Sequence, residues 1–285
     1  MPRVNDGGSA RRRLRASRMG SYLVLCAWAV VVLVPLYLMI VNSFKSTSDI
    51  FMSPFSFPKN PVFDGFRMVF EEGHFLLYLF NSVLITVLAI VGVMLLAALA
   101  SYALVYWDVR LARAVSLFFL LGLMIPMRIA SINLIIMLKG MGLLDKLLGL
   151  LPIYLAMGMP MGVMILTEYF RTIPRELVQA AYIDGAGSFR IFRSVMLPLA
   201  RPAMATVAIF NLVTIWNDLW FPLILIRSEG QRTLMLGVTR LFGQFQTDWT
   251  SVLATLTLAT APILALYLLL SRQFIEGLTA GAIKE

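Results

Sequence analysis

Few residues of this chain could do chemistry, and most of them stand apart. Asp218 is the only carboxylate inside a long apolar run, where it follows Trp216 and Asn217, and Arg128 is a cation in a similar run. A charge at bilayer depth costs ~3 kcal/mol or more, so both residues need a cavity, a partner or an interface. For Arg128, Pro126 offers a helix end near a surface to which the side chain can snorkel. Two readings stand for Trp216–Asn217–Asp218. Polar groups beside an aromatic face suit the lining of a sugar path, and the same amide and carboxylate suit hydrogen bonding between helices. Asn81 and Asn133 carry the same ambiguity. An ion-coupled transporter would use Asp218 as its carboxylate. An embedded enzyme would need paired carboxylates or clustered histidines, whereas His74 is isolated and Glu71–Glu72 sit on a loop with no evident partner. One cysteine, Cys26, excludes an internal disulfide, and one histidine leaves little for a metal site. No catalytic residue, metal or cofactor is expected.

A second group of residues has spacing rather than reactivity. The segment 176–202 reads ELVQAAYIDGAGSFRIFRSVMLPLARP. Pro174 suits the first turn of a helix, where its missing N–H is not needed. Leu177, Ala180 and Ala181 follow at helical spacing and make a narrow face of small and apolar residues. Asp184–Gly185 ends that helix, because glycine accepts the left-handed conformation common after a helix. Ser188 can cap a second short helix with Phe189, Phe192 and Met196 along one side, stopped by Pro198. A solvated connector does not need alanines at this spacing, whereas a docking helix for a partner protein does. Arg171, Arg175, Arg190 and Arg193 flank it.

The elements that position these residues follow from composition. Hydrophobic residues make up 60% of 285 positions and charged residues 14%, against roughly 45–50% and 25% in soluble domains. The excess marks an integral membrane protein. The net charge of +9 is spread between apolar runs rather than along one patch, which points away from nucleic acid. A bilayer crossing takes ~20 apolar residues in a helix. Six such runs are expected, at 19–44, 75–107, 114–138, 147–167, 202–226 and 249–271. The first is too long for a signal peptide and lacks a cleavage site, despite the preceding RRRLRASR. The methionines of the fourth run (Met157, Met159, Met161 and Met164) serve as gap fillers.

With six spans both termini share one side. That side holds Arg3, Arg11, Arg12, Arg13, Arg15, Arg18, Arg110, Arg113, Arg171, Arg175, Arg190, Arg193, Arg201, Arg272 and Lys284, fifteen of the 24 basic residues. The positive-inside rule makes it the cytoplasm. The expected organisation is a basic cytoplasmic tail (1–18), a first span (19–44), an outer loop (45–74), a five-span core (75–272) with a cytoplasmic loop at 171–201, and a cytoplasmic tail (273–285).

The segment resembles the cytoplasmic loop signature of binding-protein-dependent ABC importer permeases, Glu-Ala-Ala, three residues, Gly, nine residues, then Ile-x-Leu-Pro. Here the positions are Gln179, Ala180, Ala181, Gly185, Val195, Leu197 and Pro198, with every spacing met. Gln179 departs from Glu and lacks the charge that a salt bridge would need; Val195 departs from Ile. The carbohydrate, maltose-transporter-like branch is similar also in Ile183–Ala186, in Trp216–Asp218 and in the closing residues 274–284, so the likeness covers nearly everything after residue 20. It implies an all-α integral membrane protein with six transmembrane helices of the type I ABC importer permease fold, both termini cytoplasmic. It implies half of a translocation path, completed by a second, different permease chain. Two ATP-binding subunits would dock at Glu176, Gln179, Ala180, Ala181, Asp184, Gly185 and Pro198, and an extracellular or periplasmic protein would deliver sugar. In the maltose-type pair the sugar can rest mostly on the partner permease. Trp216, Asn217, Asp218, Asn133 and Arg128 are the candidate substrate path in this chain. It has no G-x-x-x-x-G-K-[ST] phosphate loop, so nucleotide chemistry would belong to another polypeptide.

Overall fold

The computed structural model describes residues 7–71, 73–107, 112–244 and 248–282; the side chains of 7–18, 240–244, 266 and 269–282 lie outside that description. Of the residues singled out above, Arg3, Glu72, Arg110 and Lys284 also lie outside the described residues.

All regular structure among the described residues is helical. The elements are α1 (Gly7–Asn42), α2 (Thr47–Met52), α3 (Asp64–Glu71), α4 (Phe75–Tyr106), α5 (Ala112–Met124), α6 (Ser131–Gly140) and α7 (Leu150–Thr172). They continue with α8 (Arg175–Ile183), α9 (Ser188–Ile191), α10 (Leu197–Leu199), α11 (Arg201–Trp216), α12 (Trp220–Leu225), α13 (Leu234–Gln244) and α14 (Trp249–Ala282). Three described stretches are long and apolar enough to cross a bilayer unaided: Met19–Asn42, Phe75–Tyr106 and Leu147–Thr172. Two bent helix pairs bring the number to five, and Trp249–Ala265 is a shorter apolar stretch within α14.

Two expected straight spans are interrupted. The run at 114–138 is broken by 83° between Ala112–Met124 and Met127–Gly140. Pro126 sits at the break, capping a 3₁₀ turn at Met127–Ala130. Proline supplies no N–H and pushes the residue before it out of helical geometry. The run at 202–226 is also not one helix. Its main part, α11, has 16 residues, about 24 Å at 1.5 Å per residue, and it stops at Trp216. After the three-residue break at 217–219, α12 resumes.

The chain divides into two compact units. In the first, the chain up to Val69 together with Gln244–Thr257, the Lys45 ammonium is buried and donates to Asn42 Oδ1 (2.9 Å), Ser53 O (2.8 Å) and Pro54 O (3.3 Å). Burial with only neutral acceptors holds its pKa below the usual lysine value, Asp49 opposing.

The second unit, Phe70–Gly243 with Leu258–Glu285, is built around α4, α7 and α11. Helix α4 buries Ile85, Ala89, Val93 and Ala97, four residues apart and one above another along one stripe. Small residues on α7 let its neighbours approach. A Cβ placed on Gly158 would stand 2.2 Å from Asn211 Oδ1 of α11 and 2.7 Å from Val93 Cγ2 of α4. Gly162, one turn on, would meet Ala97 Cβ at 3.0 Å. This small-x-x-x-small packing brings backbones together where lipid provides no hydrophobic drive.

Candidate functional site

The segment between α7 and α11 folds as two short helices seated on the ends of the core. Pro174 is the N-cap of α8 (φ −55°, ψ 131°), one position earlier than expected, and Glu176 lies in the first turn, where a carboxylate favours the helix dipole. The expected face of Leu177, Ala180 and Ala181 is split. Val178 is buried, and Ala181, one turn further along the helix, packs beside it against the core. Leu177, Gln179 and Ala180 are exposed, and Ile183 is 86% exposed. The sequence pattern missed Val178, whose burial contributes about 1.5–3 kcal/mol of anchoring.

The end of α8 is as expected. Asp184 is the C-cap and Gly185 has φ +78°. The Gly185 N–H donates to Tyr182 O and the Ala186 N–H to Ala181 O, both at 3.0 Å, the paired bonds of a Schellman end. Beyond it, Gly187 rather than Ser188 is the N-cap of α9, with no side-chain cap bond. The Ser188 hydroxyl pairs instead with the Tyr182 hydroxyl (3.0 Å), and its carbonyl accepts from the Tyr102 hydroxyl of α4 (3.2 Å). Phe192 and Met196 are buried, but Phe189 is 70% exposed and does not share their side.

Pro198 does not stop this helix. A π turn at Phe192–Met196 leads into α10, which contains Pro198, and the chain bends by 74° between Ser188–Leu199 and Arg201–Trp216. The Leu197 N–H reaches back to Phe192 O. A wider turn just ahead of proline relieves the clash that its ring makes with the preceding turn of an α-helix. The Tyr169 hydroxyl of α7 donates to Leu199 O (3.1 Å) at the bend. Phe192 rests on the Tyr102 ring, centroids 5.3 Å apart. The segment is thereby fastened to α4 and α7 by tyrosine hydroxyls and buried apolar side chains, while Leu177, Ala180 and Ile183 face outward.

The two charges of the apolar runs lie elsewhere, on the wall of a cavity of about 600 Å³ between α5, α7 and α11. Arg128, Asn217 and Asp218 line it, with Thr214. Trp216 and Asn133 do not. Trp216 is buried in the core with its Nε1 unpartnered, and Asn133 is exposed on α6. Asp218 is already engaged: Oδ2 accepts from the Tyr154 hydroxyl of α7 (3.0 Å) and the Phe221 N–H (3.4 Å), and Oδ1 from the Trp220 N–H (3.2 Å). It accepts from the first two N–H groups of α12, whose N-cap is Leu219, and ties that helix to α7, so hydrogen bonding between helices describes its carboxylate. Asn217 bonds back to Val213 O of its own helix (2.9 Å). The Arg128 guanidinium stands 5.9 Å above the Trp220 ring, whose Nε1 donates to Ser131 Oγ (2.9 Å). Tyr154 and Trp220 were missed; the only sequence signal was an aromatic two residues after Asp218.

Beyond this cavity a loop is pinned to its neighbours. Asp145, at φ +60°, accepts from the Arg227 and Ser228 N–H groups (2.7 Å each) and the Ser228 hydroxyl (2.5 Å). Those bonds, that of the Ser228 hydroxyl foremost, hold its carboxyl below the usual range. Asn81 donates to Gly230 O and Arg232 O, so its role is to hold the loop.

The family model for the binding-protein-dependent transport system inner membrane component matches residues 94–278. A diacetylchitobiose uptake system permease protein of Streptomyces coelicolor, NgcG, is 33% identical over 93% of this chain and 88% of its own length. A melibiose/raffinose/stachyose import permease protein of Bacillus subtilis, MelC, is 30% identical over 95% of this chain and all of its own. In fold the chain is similar to a chain of a bacterial ABC transporter that imports the polysaccharide alginate, with a TM-score of 0.80 at 21% identity over 96% of this chain and 100% of that one.

Proposed function

The chain belongs to the binding-protein-dependent transport system inner membrane components, and from that premise we propose that it is the permease subunit of an ATP-driven sugar importer in a bacterial cell membrane. It forms half of the path, a second and different permease the other half, and two separate ATP-binding subunits dock beneath. Both termini are cytoplasmic, on the side with fifteen basic residues. Sugar is the cargo because relatives across almost the whole chain are named for diacetylchitobiose and for melibiose, raffinose and stachyose. An extracellular or periplasmic protein delivers it.

The observation that carries the reading is α8, a short helix between the apolar runs whose Val178 and Ala181 pack on the core while Leu177, Gln179, Ala180 and Ile183 stay open. Closure of the ATPase pair on ATP moves α8 as a rigid piece. Tyr102, Tyr169 and the packed Val178, Phe192 and Met196 pass that movement to α4, α7 and α11. The drive is the difference in ATPase affinity between two states of the membrane helices. Gln179 contacts the ATPase by hydrogen bonding, without a salt bridge. Arg128, Asn217 and Thr214 offer the polar groups along the path, with Asp218 holding the shape of the cavity. An ion-coupled transporter centred on Asp218 finds no support: its carboxylate is occupied by three donors, and the relatives are permeases of uptake systems.

Proteoliposomes holding the full assembly test this reading. Uptake of a labelled oligosaccharide is expected only with the loaded binding protein outside and ATP within. Uptake driven by an imposed proton or sodium gradient without ATP would overturn it.

A further inference from the structure

A second groove, of about 310 Å³, lies between α5 and α7 near the end of α7 that leads into α8. Its polarity is layered with depth. At the mouth, in the last turns of α7, the Arg171 guanidinium and Glu168 carboxylate are paired at 2.7 Å, both well exposed. Ser116 of α5 and Thr167 of α7 come next. Ser116 is four residues past the start of α5 and Thr167 five before the end of α7, so in this antiparallel pair they sit at matching depth. The Thr167 Oγ1 is buried and has no hydrogen-bond partner, with the residue only 5% exposed. Deeper still, Phe119, Leu120, Val163 and Met164 make the walls apolar, with Leu120 and Met164 open on the outside. From Val163 to Arg171 the wall runs about 12 Å along α7.

We propose that this groove binds one zwitterionic phospholipid with a primary ammonium, of the phosphatidylethanolamine type, in the leaflet on the α8 side. The sequence of charge pair, hydroxyls and apolar walls follows the sequence of head group, glycerol esters and acyl chain. Lipid tails are already in an apolar solvent, so the walls give little preference by themselves and selection falls to the polar atoms. An exposed ion pair is weakly held and opens readily. Arg171 then takes the phosphate and Glu168 the ammonium, each keeping an opposite charge. An anionic head group would satisfy Arg171 and leave Glu168 repelled. A choline head group has no N–H for Glu168. Thr167 donates to an ester carbonyl, the partner that Oγ1 lacks. The inference needs only that α5 and α7 lie in a bilayer, and it stands or falls separately from the sugar reading.

The test uses the full chain with its partner subunits, purified in mild detergent and equilibrated with an equimolar mixture of phosphatidylethanolamine, phosphatidylglycerol and phosphatidylcholine. Native mass spectrometry is expected to find one phosphatidylethanolamine retained per copy of this chain, several-fold over the other two. Glu168→Gln with Arg171→Gln, both on the surface, should abolish the preference while leaving size-exclusion behaviour unchanged. Met164→Trp should fill the groove and remove the bound lipid. A photoreactive residue at Leu120 should cross-link to lipid. Equal retention of the three head groups, no retained lipid, or a Leu120 cross-link to the second permease would each overturn the proposal.

Discussion

Gly185 separates backbone geometry from side-chain contact at the end of α8. An added Cβ meets nothing within 4 Å, so sterics allow alanine there. What opposes it is the φ of +78°, which costs an ordinary L-residue about 1–2 kcal/mol, a factor of about 5–30 in the balance against other conformations. Gly185→Ala should therefore weaken coupling without abolishing it. Gly185→Pro is a different perturbation. Its φ is fixed near −65°, it removes the N–H that donates to Tyr182 O at 3.0 Å, and it disfavours the helical conformation of Asp184. The total exceeds about 3 kcal/mol, enough to unwind the last turn that carries Ile183. The assay is ATP hydrolysis by the reconstituted complex, stimulated by the sugar-loaded binding protein, alongside recovery of the ATPase with this chain. A graded loss, wild type above alanine and alanine well above proline, is expected. Normal stimulation in Gly185→Pro would refute the reasoning, and so would an alanine variant as damaged as the proline one.

Other consequences can be measured directly. Gly158→Ala puts a methyl 2.2 Å from Asn211 Oδ1 and should lower the thermal midpoint in detergent by an overpacking cost of about 1–3 kcal/mol; Gly162→Ala, whose nearest contact is 3.0 Å, should be milder. Because the Asp145 carboxyl titrates below its ordinary value in the folded loop, its stabilisation is present above that ordinary value and lost as pH falls through the lowered one. Amide-exchange protection at Arg227 and Ser228 should accordingly hold from neutral pH down to the ordinary carboxylate value of about 4 and fall below it, and Asp145→Asn should flatten that dependence. Lys45→Met leaves Asn42 Oδ1 and Pro54 O without the ammonium that donates to them, while Ser53 O keeps Ser56 as a donor; at a cost of about 1–3 kcal/mol, limited proteolysis within 46–59 should accelerate.

The sequence was most readable where one chemical property decides the outcome. Apolar length placed the helices, and Gly185 placed the end of α8, because a left-handed residue after a helix has few alternatives. Pro126 and Pro198 were harder. Each was read as a helix stop; α5 does end just before Pro126, with an 83° bend inside what reads as one apolar run, whereas Pro198 is carried past by a π turn. Local sequence does not say whether tertiary packing will absorb a proline or yield to it. The α8 stripe failed for a related reason: alanines and Leu177 share a face in projection, but the core selected Val178 and turned Leu177 outward. Asp218 shows the largest gap. Its donors come from Tyr154, 64 residues away, and from the two N–H groups of α12, and no spacing rule links a tyrosine in one apolar run to a carboxylate in another.

In the proposed importer the outer face of α8 holds an ATPase. Ile183, 86% exposed on that face, is the residue to change, since Ala181 is partly packed inward and a charge there would also strain the core. The full chain carrying Ile183→Glu would be purified from its host membranes in mild detergent and its partners counted. Loss of the ATPase with the second permease retained is the expected result. Recovery of the ATPase in unchanged amount would contradict the claim.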